Sequence, residues 1–279
     1  MGLRSFLIGL LAASITCTAG AAPILCPERT VVGISDLGYS SYQQDGELRG
    51  AGVEVMREVG RRTRCTMKFA WFPRSRLFAQ LENDRIDMTV SSVRSSERDR
   101  TGQFVPYVYT QFELLLSTRV AGSFTSLSDF VERSDARLNV VRGMVYSADV
   151  AILLDKLAQA GRIEYVPDFD VVFRKIAANR ADGTLAPPVI SMWHLSRLGI
   201  AAQVRALTMP ESPRQLAGLY LSQHNLSSDV RNAYAQTIRA MLEDGTILRI
   251  YERNIGAAAT RRLYAGGMRE ILDFYARPQ

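Results

Sequence analysis

The sequence is poor in the residues that most often bind metals, carry out catalysis or track nucleic acids. It contains only 2 histidines and 3 cysteines, and only 3 of its 34 basic residues are lysine. No spacing typical of a metal site surrounds either His194 or His224. Because the arginines alternate with acids and form no basic tract, nucleic-acid binding is disfavoured despite the net charge of +6. A Gly-rich phosphate loop and a nucleophile elbow are also missing, so we expect neither a cofactor nor an enzyme.

Long apolar runs are scarce too, and none in the chain is long enough to cross a bilayer. The run at residues 6–13 precedes the small residues Ala19, Gly20 and Ala21, an order typical of a signal peptide that is cleaved after Ala21. Cys17 lies in this segment, but residues 14–16 ahead of it make a poor lipobox. We therefore expect residues 1–21 to be removed from a soluble exported protein.

Removal of Cys17 leaves an even pair of cysteines, which in an exported protein suggests a disulfide. Cys26 lies just before the first predicted strand and Cys65 just before the second. Neighbouring parallel strands would bring their Cα atoms within the roughly 4.4–6.8 Å that a disulfide needs. We expect a bond between Cys26 and Cys65; two buried free thiols are the alternative.

Short β-branched runs alternate with helical patterns, which indicates an α/β fold with mainly parallel sheet. Strands are predicted over residues 30–35, 66–71, 86–91, 113–117, 138–142, 163–166, 189–191 and 218–222. Apolar periodicity predicts helices over 53–61, from Ser75, and from an N-cap at Ser228 to Gly245. No repeat, low-complexity tract or Pro/Gly/Ser linker marks a domain boundary.

The most informative stretch is DMTVSSVRSSER, which ends at Arg98 and is followed five residues later by FVPY. It predicts a short strand that ends in small, donor-rich residues and leads into a turn or helix. Backbone N–H groups, a guanidinium and serine hydroxyls that converge there would hold a small anion such as a carboxylate. In the alternative, Arg98 pairs at the surface with the neighbouring Glu97 or Asp99.

This stretch resembles a segment of the bacterial extracellular solute-binding proteins of family 3, which runs strand, small residues, Thr-x-Glu-Arg, then Phe-Ser-x-Pro-Tyr. Ser95 stands here for the threonine, and the Phe-to-Tyr portion is one residue short. Four further motifs match in order and spacing: VVGISD from Val31, DGELRG from Asp45, LNVVRG from Leu138 and MLEDGTILRIYER from Met241. The resemblance covers about residues 28–255.

The resemblance implies a type II periplasmic-binding-protein fold, in which two α/β lobes joined by two hinge strands trap a ligand in the cleft between them. Carried over, lobe one is residues 22–112 and 209–279, and lobe two is residues 113–208. Residues 260–279 extend beyond the usual family end. Their helical spacing predicts a docked extra helix through Tyr264, Met268, Ile271, Leu272 and Tyr275; a partner-binding tail is the alternative.

The resemblance also implies a ligand site. Arg98 would clamp a carboxylate, and a ring at Tyr39, close to Tyr42, would contact the ligand. The remaining residues expected at the ligand are Asp36, Arg74, Ser91, Ser92, Ser95, Gly143 and Met144. Arg74 replaces a ligand-stacking aromatic, so it and Arg76, with Arg94 as a third candidate, would suit a second acidic group. In the alternative, Arg74 faces water.

Lobe two departs from the amino-acid binders of this family. Asp182 matches their first acid and is expected to be structural, but residues 183–188 contain no further acid that could hold an ammonium group. Met144 replaces a usual threonine after Gly143. An ammonium in a dry cleft without an anionic partner is costly. An amine-free acid therefore fits as well as an α-amino acid.

We therefore expect a monomeric periplasmic protein that binds a small carboxylate-bearing solute and closes by hinge motion before it meets the membrane permease of an ABC transporter. One alternative is a dehydratase-like enzyme on the same scaffold, for which Asp36 and Asp182 are weak acid/base candidates. Another is a ligand-sensing input protein for a membrane receptor. A cleft that no longer binds ligand is also compatible with the missing acid.

Overall fold

The computed structural model describes residues 26–276. The predicted signal peptide and Cys17 lie outside the described residues. Within residues 26–276, no helix has the length and apolar character needed to cross a membrane.

Residues 30–110 alternate strands with crossover helices. The elements are β1 (Thr30–Ile34), β2 (Tyr42–Gln44), β3 (Glu47–Arg49), α1 (Ala51–Thr63), β4 (Met67–Trp71), α2 (Arg74–Glu82), β5 (Met88–Val93), α3 (Ser96–Asp99) and β6 (Gly102–Thr110). β1 pairs in parallel with both β4 and β5, so that Val32 lies opposite Phe69 and Met88. Parallel pairing needs long connections, which α1 and α2 supply.

The next part of the chain builds a second layered unit. Its elements are β7 (Glu113–Ser117), α4 (Leu127–Arg133), β8 (Leu138–Val141), α5 (Ala148–Gln159), β9 (Ile163–Val166), α6 (Phe169–Ala177), β10 (Gly183–Ala186), α7 (Pro188–Leu198) and β11 (Val204–Thr208). Its strand order is β11-β7-β10-β8-β9. Buried aliphatic and aromatic side chains form the core of this unit.

The chain then returns to the first unit through β12 (Gln215–Ser222), α8 (Ser228–Glu243), α9 (Thr246–Ile255), α10 (Ala257–Leu263) and α11 (Arg269–Ala276). β12 lies between β5 and β6 and runs antiparallel to both, which gives the order β4-β1-β5-β12-β6. The expected two-lobed α/β architecture is confirmed. The lobe bounds 22–112, 113–208 and 209–279 stay a prediction.

The two crossings between the sheets lie side by side. Gln111 Nε2 donates to Ser212 O at 2.8 Å, and Phe112 N donates to Ser212 Oγ at 3.0 Å. These bonds join the outgoing and returning connections at the position expected for a hinge.

Two local predictions are wrong. Residues 189–191 were expected to form a strand, but they lie in α7 directly after β10. A short apolar run does not distinguish a strand from a buried helix, and Pro188 in the first helical turn favours the helix. The N-cap of α8 is Ser227, whose Oγ accepts from Val230 N at 3.4 Å; the prediction had placed it at Ser228.

β6 was not predicted from the sequence. Pro106 interrupts its alternation of apolar and polar residues, and a proline within such a run argues against a strand. The structure accommodates the proline where the pairing of β6 with β12 shifts register, opposite Gly218. A Cβ atom on Gly218 would lie 2.0 Å from Val105 O, so only glycine allows the two strands to approach there. The short strands β2, β3, β10 and β11 were not predicted either.

The C-terminal segment forms two short helices, where one was predicted. Tyr264 and Ile271 are buried in the core of the first sheet. The hydroxyl of Tyr264 donates to Tyr107 O at 3.0 Å, and that of Tyr275 donates to Pro106 O at 2.5 Å. The segment thus packs on β6.

The disulfide between Cys26 and Cys65 is confirmed, with a Cα–Cα distance of 5.4 Å. It ties the chain ahead of β1 to the end of α1. Thr30 N donates to Thr66 O at 2.8 Å, which aligns β1 with β4 directly beside the bond.

We predict that reduction of this bond lowers the free energy of unfolding of the mature protein by about 2–4 kcal/mol, because the unfolded chain regains the entropy of an open loop. Urea denaturation with and without reductant measures the difference. A double variant, Cys26→Ala with Cys65→Ala, should match the reduced protein and ignore reductant. Equal stability of the oxidised and reduced protein would contradict the prediction.

Candidate functional site

Arg98 lies buried in α3, the short helix that follows β5. Ser95 caps α3 by accepting from Arg98 N, which turns the chain inward after the strand. The guanidinium donates from Nη1 to Val93 O at 3.0 Å and from Nη2 to Gly143 O at 3.4 Å. Its Cζ lies 3.5 Å from the centroid of the Phe78 ring. These contacts fix the group and use two of its five N–H donors.

Surface pairing of Arg98 with a neighbouring acid, the alternative weighed from the sequence, is contradicted. Arg98 is only 6 % exposed and forms no ion pair within the described chain. Asp99 pairs instead with the exposed Arg94 at 2.8 Å, so Arg94 is not a cleft residue. Arg76 is likewise exposed.

Arg74, the first residue of α2, is buried beside Arg98 and does not face water. Its Cζ lies 5.3 Å from the centroid of the same Phe78 ring. Its Nε and Nη1 atoms are buried and have no hydrogen-bond partner in residues 26–276. A buried, charged donor without a partner is rare in a folded protein.

Burial makes both charges costly. Desolvation, and then repulsion from Arg98, lowers the pKa of Arg74 to about 9. Desolvation lowers the pKa of Arg98 to about 10. Both shifts mean that the site destabilises the charged form of each guanidinium, as burial without a counterion does. An anion placed between the two groups would relieve this cost.

Both arginines line a cavity of about 40 Å³ between the sheets. Ser40 and Ser91 add hydroxyl groups, and most of the remaining wall is apolar. Of the described residues that line the cavity, none is acidic. By its volume, the cavity has room for only a few waters in this arrangement of the lobes, so a larger solute could enter only when the lobes part.

The three serines expected at the site have different positions. Ser91 lines the cavity with a left-handed backbone at φ 49°, and its Oγ bonds to Ser40 Oγ and, at 3.0 Å, to Tyr107 OH. Such strained backbone is concentrated at functional sites. Ser92 is fully buried against Thr89, and Ser95 acts as the cap of α3, so neither lines the cavity.

Gly143 joins the lobes directly. Its φ is +82°, and a Cβ there would lie 2.8 Å from Ser75 Cα, so the turn after β8 packs against the start of α2. Met144, the next residue, lines the cavity. Asp182 lies elsewhere, where its Oδ2 accepts from Arg137 N at 2.9 Å.

The loop after β1 forms a second contact between the lobes, which we call the interlobe contact: Asp36, Tyr39 and Tyr42 against Trp193 and His194 of α7. Tyr42 stacks on Trp193 with ring centroids 3.9 Å apart, and Tyr39 meets its edge at 5.4 Å. Asp36 Oδ2 lies 3.2 Å from His194 Nε2 and accepts from Asp170 N at 3.2 Å. Asp36 and Tyr39 therefore lie outside the cavity and hold the lobes together in this arrangement.

Several cavity residues were not predicted from the sequence: Ser40, Val108, Tyr109, Phe112, Ile190 and Tyr251. Val108 and Tyr109 lie on β6, which was itself missed, and Ile190 lies in the wrongly predicted strand. These residues could be assigned to one cavity only from the order of the strands in the two sheets, which was not predicted from the sequence. His224 is exposed beside Asp84 and has no part in the site.

A family model for the bacterial extracellular solute-binding proteins, family 3, matches residues 31–257. An ancestral arginine-binding protein bound to arginine superposes with a TM-score of 0.71 at 17% identity, covering 82% of this chain and 99% of that one. A histidine kinase sensor domain similar to periplasmic binding proteins gives 0.70 at 17% identity, covering 82% and 96%.

A third similar structure is an ancestral amino acid-binding protein described as a precursor of cyclohexadienyl dehydratase. It gives a TM-score of 0.67 at 17% identity, covering 81% of this chain and 95% of that one. A comparison with curated protein sequences found no match. The structural likenesses confirm the type II periplasmic-binding-protein fold.

We predict that Trp193→Ala opens the ligand-free protein, because the stacked and edge contacts at Trp193 contribute about 0.5–1.5 kcal/mol beyond their buried area. Small-angle scattering should show a larger radius of gyration. Tyr165→Ala, which removes an aromatic side chain of lobe two that is 45% exposed, is the control and should leave the radius unchanged. An unchanged radius for Trp193→Ala would contradict a role in closure.

Proposed function

We propose that this chain, which belongs to family 3 of the bacterial extracellular solute-binding proteins, captures a small carboxylate-bearing solute in the periplasm and passes it to an ABC-type permease. The observation that carries the proposal is the buried Arg98 guanidinium. It is held by backbone carbonyls and an aromatic face, without a carboxylate partner in the described chain. Such a preorganised planar fork suits bidentate binding of a carboxylate.

Closure of the lobes supports the same function. Arg98 of the first lobe donates to Gly143 O of the second, so the clamp itself contacts both sides of the cleft. A solute that bonds to Arg98 would therefore contact groups of both lobes and favour the closed form. A permease would then distinguish loaded from unloaded protein by the arrangement of the lobes. We propose that the protein acts as a monomer.

Binding accounts for the site better than catalysis does. A dehydratase-like reaction needs a positioned acid or base, and the described lining of the cavity includes no carboxylate and no histidine. Asp36 and His194 face each other at the interlobe contact, where His194 is 1 % exposed and stacked on Phe173. Their position suits a contact that holds the lobes together.

A sensor role is the second candidate, and the likeness to a histidine kinase sensor domain favours it. The two roles use the same ligand chemistry and differ only in the partner. Uptake of labelled ligand by cells with and without the protein discriminates between them. Lost uptake supports transport, whereas intact uptake with a lost transcriptional response to the ligand supports sensing.

We predict that Arg98→Ala weakens binding of the acid ligand by about 2–5 kcal/mol, the usual cost of truncating one member of a desolvated ion pair. Refolded mature protein is first screened by thermal shift against amino acids, keto acids, dicarboxylates and aromatic acids. Calorimetry then compares the variant with the native protein on the best hit. Arg94→Ala, which removes an exposed neighbouring arginine, is the control. A loss below about 1 kcal/mol in Arg98→Ala would refute the clamp.

A further inference from the structure

We propose that the cavity selects an amine-free acid with two carboxylates, of which Arg98 holds one and Arg74 the other. The inference rests on the proposed solute-binding function and deepens it by naming the ligand class. It concerns Arg74 above all, because the general family resemblance implies a ring at that place.

The first argument is the number of charges. Two guanidinium groups face one cavity, and neither forms an ion pair within residues 26–276. A ligand with a single carboxylate would pair with one of them and leave the other buried without a counterion. Because an uncompensated buried charge is strongly destabilising, a dianion suits the pair better than a monoanion does.

The second argument is the unmet hydrogen bonding of Arg74. Arg98 already donates to two carbonyl oxygens, but the Nε and Nη1 atoms of Arg74 are buried and bond to nothing in the described chain. The two unpaired atoms belong to different edges of the guanidinium, Nε to the side-on edge and Nη1 to the end-on edge, and either edge can bind a carboxylate. Within the described chain, Arg74 therefore gains no hydrogen bond or ion pair that would explain its burial.

The third argument is the spacing of the two groups. The Cζ atoms of Arg74 and Arg98 lie 5.3 and 3.5 Å from the centroid of one phenyl ring, that of Phe78. The two atoms are therefore at most 8.8 Å apart. Since each carboxylate oxygen lies about 2.8 Å from the nitrogen that it bonds, one short dicarboxylate can reach both groups.

The rest of the lining argues against an amine. An ammonium group in this cavity would lie near two guanidinium groups, and the acids that Arg74 approaches, Asp36, Asp168 and Asp170, line a separate cavity. The walls offer Val93, Val108, Phe112, Met144 and Ile190, which suit methylene groups. The ligand chemistry that matches is a short aliphatic chain with a carboxylate at each end.

A matched series of four-carbon acids tests the inference: succinate with two carboxylates, butyrate with one, and aspartate with two carboxylates and an amine. Dicarboxylates of three, five and six carbons complete the panel. Calorimetry on refolded mature protein compares the native chain with Arg74→Met, Arg98→Met and Arg76→Met. The last variant is the control, because it removes an exposed arginine from the same helix.

We expect the best dicarboxylate to bind tightest and to lose at least about 30-fold in affinity in Arg74→Met, the loss typical of truncating a desolvated charge pair. Butyrate should be nearly unaffected by Arg74→Met. Arg98→Met should weaken both acids, and Arg76→Met neither. Aspartate should bind more weakly than succinate in the native protein.

Three results would overturn the inference and leave the proposed function intact: equal affinity for aspartate and succinate, no preference for any dicarboxylate over butyrate, or equal losses for butyrate and the dicarboxylate in Arg74→Met. Binding of no acid, either in this panel or in the thermal-shift screen of amino acids, keto acids and aromatic acids, would contradict the proposed function as well.

Thermal unfolding without ligand gives a readout that a structural role of Arg74 would not produce. Arg74→Met removes an unpaired buried charge and fills its place with apolar atoms, so its Tm should rise by about 2–8 °C. Arg76→Met should leave Tm unchanged. A lower Tm in Arg74→Met would mean that the guanidinium stabilises the fold, which overturns the inference.

Discussion

Two buried guanidinium groups without a carboxylate partner in the described chain are the constraint on which the site depends. Arg74 and Arg98 lie against the same Phe78 ring and face the same cavity, and burial lowers the pKa of each. Without an anion the arrangement is costly, because each buried charge loses its hydration and only Arg98 regains hydrogen bonds within the described chain. A bound anion neutralises the two charges and removes this destabilisation. The site therefore lowers the stability of the ligand-free protein and favours anionic ligands.

The fold supplies this arrangement through its two crossings. Arg98 follows β5 of the first sheet, and Gly143 follows β8 of the second, yet the two meet because the paired crossings bring the lobes together. Closure then depends on contacts outside the cavity, chiefly the aromatic stack of Tyr42 on Trp193. Arg98 takes part in both ligand chemistry and closure, because it lines the cavity and donates to Gly143 O of the second lobe.

Much of the fold could be predicted from sequence because its signals are local. The bounds of β7 and β9 followed from short apolar runs, and the disulfide partners followed from the positions of the cysteines. β6 and α7 could not be predicted in this way, because Pro106 depends on a register shift opposite Gly218 and the Val-Ile run after Pro188 fits either structure. In the site, motif order located Arg98. The burial of Arg74 and the position of Tyr39 depend on packing between distant segments.

The most direct measurement is native mass spectrometry of the mature protein isolated from the periplasm under non-denaturing conditions, without refolding. The mass of any bound compound reports what the cavity selects among the solutes of the cell. The account predicts an adduct that, once released, is an amine-free acid with two carboxylates. A released amino acid, or any cationic ligand, would contradict it.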